Sequence, residues 1–473
     1  MPNFRLPGLV AFLLALALFG LSSHRRIFTA GNDAARWATI ESIVDRGTTA
    51  IDGSRFASTV DQVRLDGHLY SNKPPALAFA GAAIYALLEN AFGWRLDGPG
   101  AANVIQVTTV LLVGLPAALL VLLFDGALGR FRHLGPFERA TWTAALGAGT
   151  LLWPFATTFN AHVPAAALLF AAFLAALDGR ARFAAIATGL AALLDLLPGV
   201  GLAPCFALIL LRTAPSGGVG RFARTLAGPA VAGVLLNLLH HGSWLPLKLV
   251  RGAVDLAAQA GPSAGGVVLP SRATYPLEIL FGGHGLFLVS PILLVGLVGL
   301  VAAARRAPFG ETRSWRLLAA GLALQFAGHA LLAGSYGGWS YGFRYLLPIQ
   351  PLLLFAAPWA FSLRSQGAMV RTFLLAFLLP PSVLFSALGA FHPWPPAYEQ
   401  EGASGPWAEV AAGVRNPVGG NAAAWLAVHR PGTRVARWTE ERWVSADPER
   451  ARRYYQLFYG SKGDLATMRR FAE

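Results

Sequence analysis

The sequence predicts an all-α polytopic membrane protein, and three observations carry that prediction. Hydrophobic residues make up 55% of the 473 positions and charged residues only 13%, the composition of a chain that faces lipid as well as water. Apolar runs long enough to cross a ~30 Å hydrocarbon core recur about a dozen times from end to end. Arginines cluster in short loops between these runs, as the positive-inside bias requires. The formal charge of +14 is therefore topological, and it does not point to nucleic acid. One cysteine, Cys205, lies in an apolar segment, so there is no disulfide framework and no thiolate metal site.

Taken in order, the spans are 6–22, 102–124, 140–158, 163–178, 183–197, 199–211, 224–240, 284–304, 317–333, 346–363 and 372–391. The first follows Arg5 and imitates a signal peptide, but so many spans follow that it reads as a retained helix. The apolar run 75–91 is the exception. If it crossed the membrane, the arginine-bearing loops 125–139, 178–182, 212–225, 305–316 and 364–371 would all face outward, away from Arg5. Removing this one run from the spanning set brings every one of them to the cytoplasmic side. The prediction is thus about eleven transmembrane helices, with "PPALAFAGAAIYALLEN" lying in the outer interface. Pro74 and Pro75 suit its start, where missing N–H groups would be unbonded anyway. The N-terminus is placed in the cytoplasm and the C-terminus outside, in the cell's inner (cytoplasmic) membrane.

Two parts follow: a membrane domain, 1–391, whose first outer loop is 23–101, and an outer tail, 392–473, where composition turns polar. Polar and aromatic residues collect on the outer face, in the first loop, the turn 157–163, the loop 240–283, "SYGGWSYGFRY" and the tail. A site is therefore sought there. In the first loop, "NDAARWATIESIVDRG" predicts a short amphipathic interfacial helix, capped by Asn32 or Asp33 and stopped at Gly47, with Trp37, Ile40, Ile43 and Val44 on one stripe. It is the first of two juxtamembrane helices; the second begins at Lys73, one of three lysines in the chain. Spacing alone leaves Asp33 as a capping residue with Arg36 solvated, and Lys73 and Arg344 as snorkelling side chains.

The ordered set "GNDAARWATIESIVDRGTTAID", "GHLYSNKPPALAF" and "GGWSYGFRYLLPIQP" resembles the GT-C glycosyltransferases, in particular bacterial relatives of protein O-mannosyltransferases and of the lipid A aminoarabinose transferase. The likeness covers most of residues 1–365, and it is the order of the motifs that makes it specific. It implies a GT-C fold and an enzyme that moves a sugar from a polyprenyl-phosphate carrier to an acceptor hydroxyl on a glycan, lipid or protein.

Under that resemblance Asp33 is the candidate base for the acceptor hydroxyl. Lys73 and Arg344 stabilise the leaving lipid phosphate, with Tyr345 as a further donor. Arg36 either holds Asp33 ionised or touches phosphate. His162 hydrogen-bonds substrate or caps its helix; His68, Tyr70 and Asp61 line the pocket or pack the loop; Glu278 and His284 stand behind them. Asn160 and His162 occupy the turn where relatives carry an acidic or polar residue, and no Asp-x-Asp is present, so a metal-free mechanism with no cofactor is expected although some relatives use a divalent ion. A single carboxylate opposite a phosphate leaving group implies inversion at the anomeric carbon. The rival classes are a secondary transporter or lipid flippase, for which Asp195, Gln325 and His329 are the polar residues within spans, and a catalytically inert scaffold.

Overall fold

The computed structural model describes residues 6–25, 31–57, 59, 61–255, 273–307, 311–332, 340–361, 367–394, 417–430 and 433–434. Its helices are α1 (Leu6–Ser22), α2 (Gly31–Arg46), α3 (Ala76–Phe92), α4 (Ala101–Leu128), α5 (Pro136–Ala148), α6 (Leu152–Ala156), α7 (His162–Leu177), α8 (Ala181–Leu194) and α9 (Leu196–Thr213). They continue with α10 (Gly218–His241), α11 (Tyr275–Phe281), α12 (Leu286–Val289), α13 (Leu293–Arg306), α14 (Glu311–Leu332), α15 (Gln350–Phe355), α16 (Gly367–Phe391) and α17 (Pro417–His429). Among the described residues every predicted span falls mainly on helical segments; residues 333, 362 and 363 lie outside the described ones. Four helices, α4, α9, α10 and α14, are long and apolar enough to cross a bilayer unaided.

The remaining spans are shorter or broken, and the sequence shows why. Residues 140–158 divide at Gly149–Leu151 into α5 and α6. Around Ser290–Pro291 the chain bends by 103° between the α11–α12 segment and α13. The span 346–363 is the most fragmented: a 3-10 turn Arg344–Ile349, then α15, then a 3-10 turn Ala357–Phe361, with Pro348, Pro351 and Pro358 punctuating it. Irregular backbone at membrane depth is tolerated only when protein surrounds it, and residues 346–357 are buried throughout. Phe355 sits in an aromatic cluster with Phe124, Phe170, Phe173 and Trp315. Gly296 and Gly299 let α13 approach this segment backbone to backbone; a Cβ on Gly296 would stand 2.7 Å from the Leu353 carbonyl, and one on Gly299 would meet the Ala356 carbonyl.

The first loop departs from the sequence reading in two ways. Helix α2 is not amphipathic in its setting: residues 32–42 are buried on every side, the charged Asp33, Arg36 and Glu41 included. Its apolar side, Trp37 and Ile40, packs on Phe159 and on Gly81 of α3. On its polar side Glu41 accepts from Ser54 at 2.5 Å and Arg55 at 2.7 Å, fastening the loop that follows. Helix α2 starts at Gly31, so Asn32 and Asp33 lie inside its first turn rather than capping it.

The second departure is a small sheet in a chain expected to be all-α. Strands β1 (Gln62–Leu65), β2 (His68–Ser71) and β3 (Val254–Asp255) pair antiparallel in the order β2-β1-β3. Asp66 and Gly67 make the turn at φ 50° and 84°, the positive pair that a two-residue hairpin demands and Asp-Gly supplies. Helix α3 runs beside α2, with Ile40 at Gly81 and Asp45 accepting from Tyr85 Oη at 2.9 Å, and ends at Gly93 in the left-handed conformation. In the tail, Asn421 of α17 donates to the carbonyls of Leu388 and His392 at 2.9 and 2.8 Å, docking it on α16.

The glycine seam gives a stability prediction. Gly299→Ala should lower the melting temperature in detergent by several degrees, because about 1–3 kcal/mol of overpacking outweighs the ~1 kcal/mol gained in helix propensity. Gly328→Ala, in α14 with open space around it, should be neutral or stabilising. Equal melting of the two variants would contradict the packing described.

Candidate active site

Three distant segments build the site. The first turn of α2 presents Asp33 and, one turn on, Arg36, whose guanidinium donates back to the Asn32 carbonyl at 3.3 Å and to the Asn32 side chain. The hairpin supplies the second part. Its register sets Gln62 opposite Ser71, so Asp61 and Asn72 face each other at its open end. Asn72 Nδ2 donates to Asp61 at 3.2 Å and Lys73 Nζ pairs with the same carboxylate at 2.8 Å, just before Pro74 and Pro75 start α3. The hairpin is thus the device that fixes the lysine's position.

Arg344 is the third part. Gly342, at φ 76°, turns the chain into the 3-10 segment. Phe343 N donates to the His284 carbonyl at 2.7 Å, His284 Nδ1 meets the Ser340 carbonyl at 2.8 Å, and Tyr341 N donates to the Pro393 carbonyl at 2.9 Å. Held this way, Arg344 is 5% exposed, with its guanidinium 4.8 Å from the Trp394 ring centroid and 5.4 Å from that of Tyr345.

Arg344 is the common electrostatic neighbour of Asp33, Arg36, Asp61, Lys73 and His162. Burial pushes the Asp33 carboxyl up to about 7, against the pull of Arg36, of the Trp394 indole, which approaches short of a full hydrogen bond, and of Arg344. Burial also lowers Lys73 to about 8, despite Asp61, and Arg36 to about 10, despite Asp33. At Asp61 burial acts upward, but Lys73 outweighs it and, with Arg344 and Asn72, holds the acid at about 2. Near neutrality the site therefore carries three cations against one fully ionised carboxylate and a second, Asp33, half-titrated. That excess suits an anion.

Several polar atoms here are buried without a hydrogen-bond partner among the described residues: Asp33 Oδ1, Arg36 Nε, Asn72 Oδ1, His162 Nε2, Arg344 Nε and Trp394 Nε1. Each such atom costs about 1–3 kcal/mol if nothing meets it. Their concentration around one arginine marks a place built to receive a polar molecule.

Not every predicted residue joins them. His68 lies exposed on the hairpin beside Asp52, and Tyr70 packs on the His240 ring. Asn160 is occupied within its turn, donating to Thr158 and Phe155 and accepting from His162 N and Val163 N, so it shapes the start of α7 rather than offering a pocket donor. His284 braces the Arg344 loop, as above. Glu278 is engaged by Thr274 in α11, beside Tyr275. Tyr345 is wedged between the rings of His162 and His329, at 5.8 and 5.6 Å.

Asp195, His329 and Trp394 were not among the residues assigned to the site from sequence, and they adjoin it. Asp195 was read as a residue within a span, yet it sits in the break between α8 and α9 and pairs with His162 at 2.6 Å. The "DLLPG" that follows α8 was the available signal. Trp394 lies just past the boundary drawn at 391, and nothing in "HPWPP" distinguished it from an interfacial aromatic. Among the described residues no group of three or more His, Cys, Asp or Glu side chains is arranged to hold a metal ion.

No protein-family model matches the sequence, and no curated protein matches it significantly. Two crystal structures of ArnT from Cupriavidus metallidurans are similar to the chain. The form bound to undecaprenyl phosphate has 17% identity and a TM-score of 0.46, the apo form 18% and 0.45, each covering 96% of this chain and 77% of that one. With identities and TM-scores this low, what the site does must be decided by its own side chains.

The buried Asp33 predicts a measurable penalty. From its ordinary 3.8 up to about 7 the unfolded chain ionises this group while the folded protein does not, so its contribution to stability falls as pH rises through that window and stays low above it. The deficit is of the order of 4 kcal/mol. Asp33→Asn should therefore melt at a higher temperature than wild type at pH 8, with the gap closing toward pH 4. Equal melting at pH 8 would contradict the burial.

Proposed function

We propose that this protein is a polyprenyl-phosphate-dependent membrane glycosyltransferase of the GT-C type, acting on the extracytoplasmic face. One observation carries the reading: an acid with a pKa near neutrality and three cations, drawn from the first loop and a late span, meet around Arg344 with buried donors and acceptors left unpartnered. Positive charge with directed N–H donors suits a phosphate, and an acid at about 7 suits proton removal at physiological pH.

In the reaction, the acceptor O–H gives its proton to Asp33 and the oxygen bonds to the anomeric carbon. The bond from that carbon to the phosphate oxygen breaks, and the lipid leaves as polyprenyl phosphate. Charge growing on the phosphate is met by Arg344 and Lys73, with Arg36 and the Trp394 N–H as further donors. Direct displacement inverts the anomeric configuration. In this proposal the charge stabilisation comes from side chains. Asp61 keeps Lys73 in place, and its low pKa keeps the carboxylate half of that pair ionised across the working range.

The arrangement also supports an enzyme over a transporter. Asp195 and His329, the ionisable residues that a relay within the membrane would use, adjoin this same site. The orientation belongs to the proposal as well: cytoplasmic N-terminus, extracytoplasmic tail, α3 in the outer interface, in a bacterial inner membrane.

Purified protein incubated with a panel of radiolabelled polyprenyl-phosphate sugars should release polyprenyl phosphate and form an inverted product. Asp33→Asn and Arg344→Ala should each lower kcat/KM about 100-fold or more. The pH profile of kcat/KM should be bell-shaped, rising near pH 7 as Asp33 deprotonates and falling above about 8 as Lys73 loses its proton. Lys73→Arg should remove the alkaline limb. No release from any donor would refute the assignment; retention of configuration would refute direct displacement.

A further inference from the structure

We infer that His162, held by Asp195, is a substrate-hydroxyl acceptor of this site. The inference rests on the glycosyltransferase reading and names a recognition element within it.

His162 is the first residue of α7, and Asn160 fixes the turn before it by accepting from the His162 and Val163 amides at 3.2 and 3.4 Å. Its Nδ1 stands 2.6 Å from Asp195 Oδ2. Asp195 reaches it because the chain is extended between α8 and α9, at φ −144° and ψ 97°. A carboxylate accepts, so Nδ1 carries the proton and donates. In the neutral ring the other nitrogen, Nε2, is then a bare acceptor. That nitrogen is buried, in a residue 7% exposed, and has no hydrogen-bond partner among the described residues.

The ring's surroundings give this acceptor its use. Arg36 and Arg344 lie within its electrostatic reach, Tyr345 crosses it edge to face at 5.8 Å, and His329 stacks on the far side of Tyr345. Lys73, Arg344, Arg36 and the Trp394 N–H all donate, which recognises phosphate but does not select a sugar. A hydroxyl must give its hydrogen somewhere. Of the buried acceptors without a partner among the described residues, Asp33 Oδ1, Asn72 Oδ1 and His162 Nε2, the first is assigned to the reacting hydroxyl and His162 Nε2 to a second one, either on the donor sugar or on the acceptor. Asp195 is a positioning residue, acting through the tautomer it imposes.

The experiment compares His162→Leu, His162→Gln, Asp195→Ala and the His162→Leu/Asp195→Ala double variant with wild type, measuring transfer kinetics, binding of undecaprenyl phosphate without sugar, and melting temperature. His162→Leu should lower kcat/KM about 100-fold or more while lipid-phosphate affinity stays within about threefold. His162→Gln, whose amide oxygen restores an acceptor, should recover about tenfold of that loss. Asp195→Ala should lose nearly as much as His162→Leu, and the double variant little more than either, as a pair acting as one unit requires. Transfer to deoxygenated acceptors and from deoxygenated donor sugars identifies the partner: the analogue lacking the recognised hydroxyl should be poor for wild type and no worse for His162→Leu. Wild-type rates in His162→Leu, an equal loss of lipid-phosphate affinity, additive losses in the double variant, or no rescue by Gln in a protein that melts normally would each overturn the inference alone. Absence of transfer by wild type would sink the glycosyltransferase reading, and this inference with it.

Discussion

The constraint on which the rest of the structure depends is the burial of charge around Arg344. Water is largely removed from an aspartate, two arginines and a lysine at once, and proteins tolerate such groups only when they are paired, shifted in pKa or poised for a ligand. All three solutions are present. Asp61 pairs with Lys73, Asp33 holds its proton to about 7, and Arg344 lays its guanidinium on Trp394 and Tyr345 while its Nε has no partner among the described residues. Stability given up here fits the proposed anion site, which would need little reorganisation on binding its ligand.

The scaffold can be understood as the means of holding these charges. A hairpin inside a helical membrane protein sets Lys73 against Asp61 more firmly than a loop would. A fragmented span, punctuated by proline and wrapped in aromatic rings, carries Arg344 inward instead of continuing as a lipid-facing helix. Gly296 and Gly299 make that burial sterically feasible from one side. From the other, Pro393 and Trp394 at the head of the tail complete the enclosure, so the tail contributes to the site from its first residues.

Much of this was legible in the sequence. Hydropathy placed the predicted spans on helical segments, because burial in lipid leaves a one-dimensional signature. Asp33, Lys73 and Arg344 could be grouped because the ordered motifs that carry them resemble the GT-C set and arginine asymmetry put their loops on one side; in the structure Arg344 is an electrostatic neighbour of both Asp33 and Lys73. Long-range geometry was less accessible. Periodicity assigned α2 one apolar stripe, but its polar face is buried too, by partners that periodicity cannot see. The alternation and Asp-Gly turn of "VRLDGHLYS" encoded a hairpin that the surrounding helices obscured. Asp195 looked like a residue inside a span because a hydropathy window averages across the break that turns it outward, and only the fold could pair it with His162 across 33 positions of sequence.

The most direct test of the account is an experimental structure with a polyprenyl phosphate bound. The phosphate is predicted between Arg344 and Lys73, within hydrogen-bond distance of both, with the Asp33 carboxylate facing the sugar side of the phosphorus. A phosphate bound elsewhere on the protein, or an Arg344 turned away from Asp33 and Lys73, would contradict it.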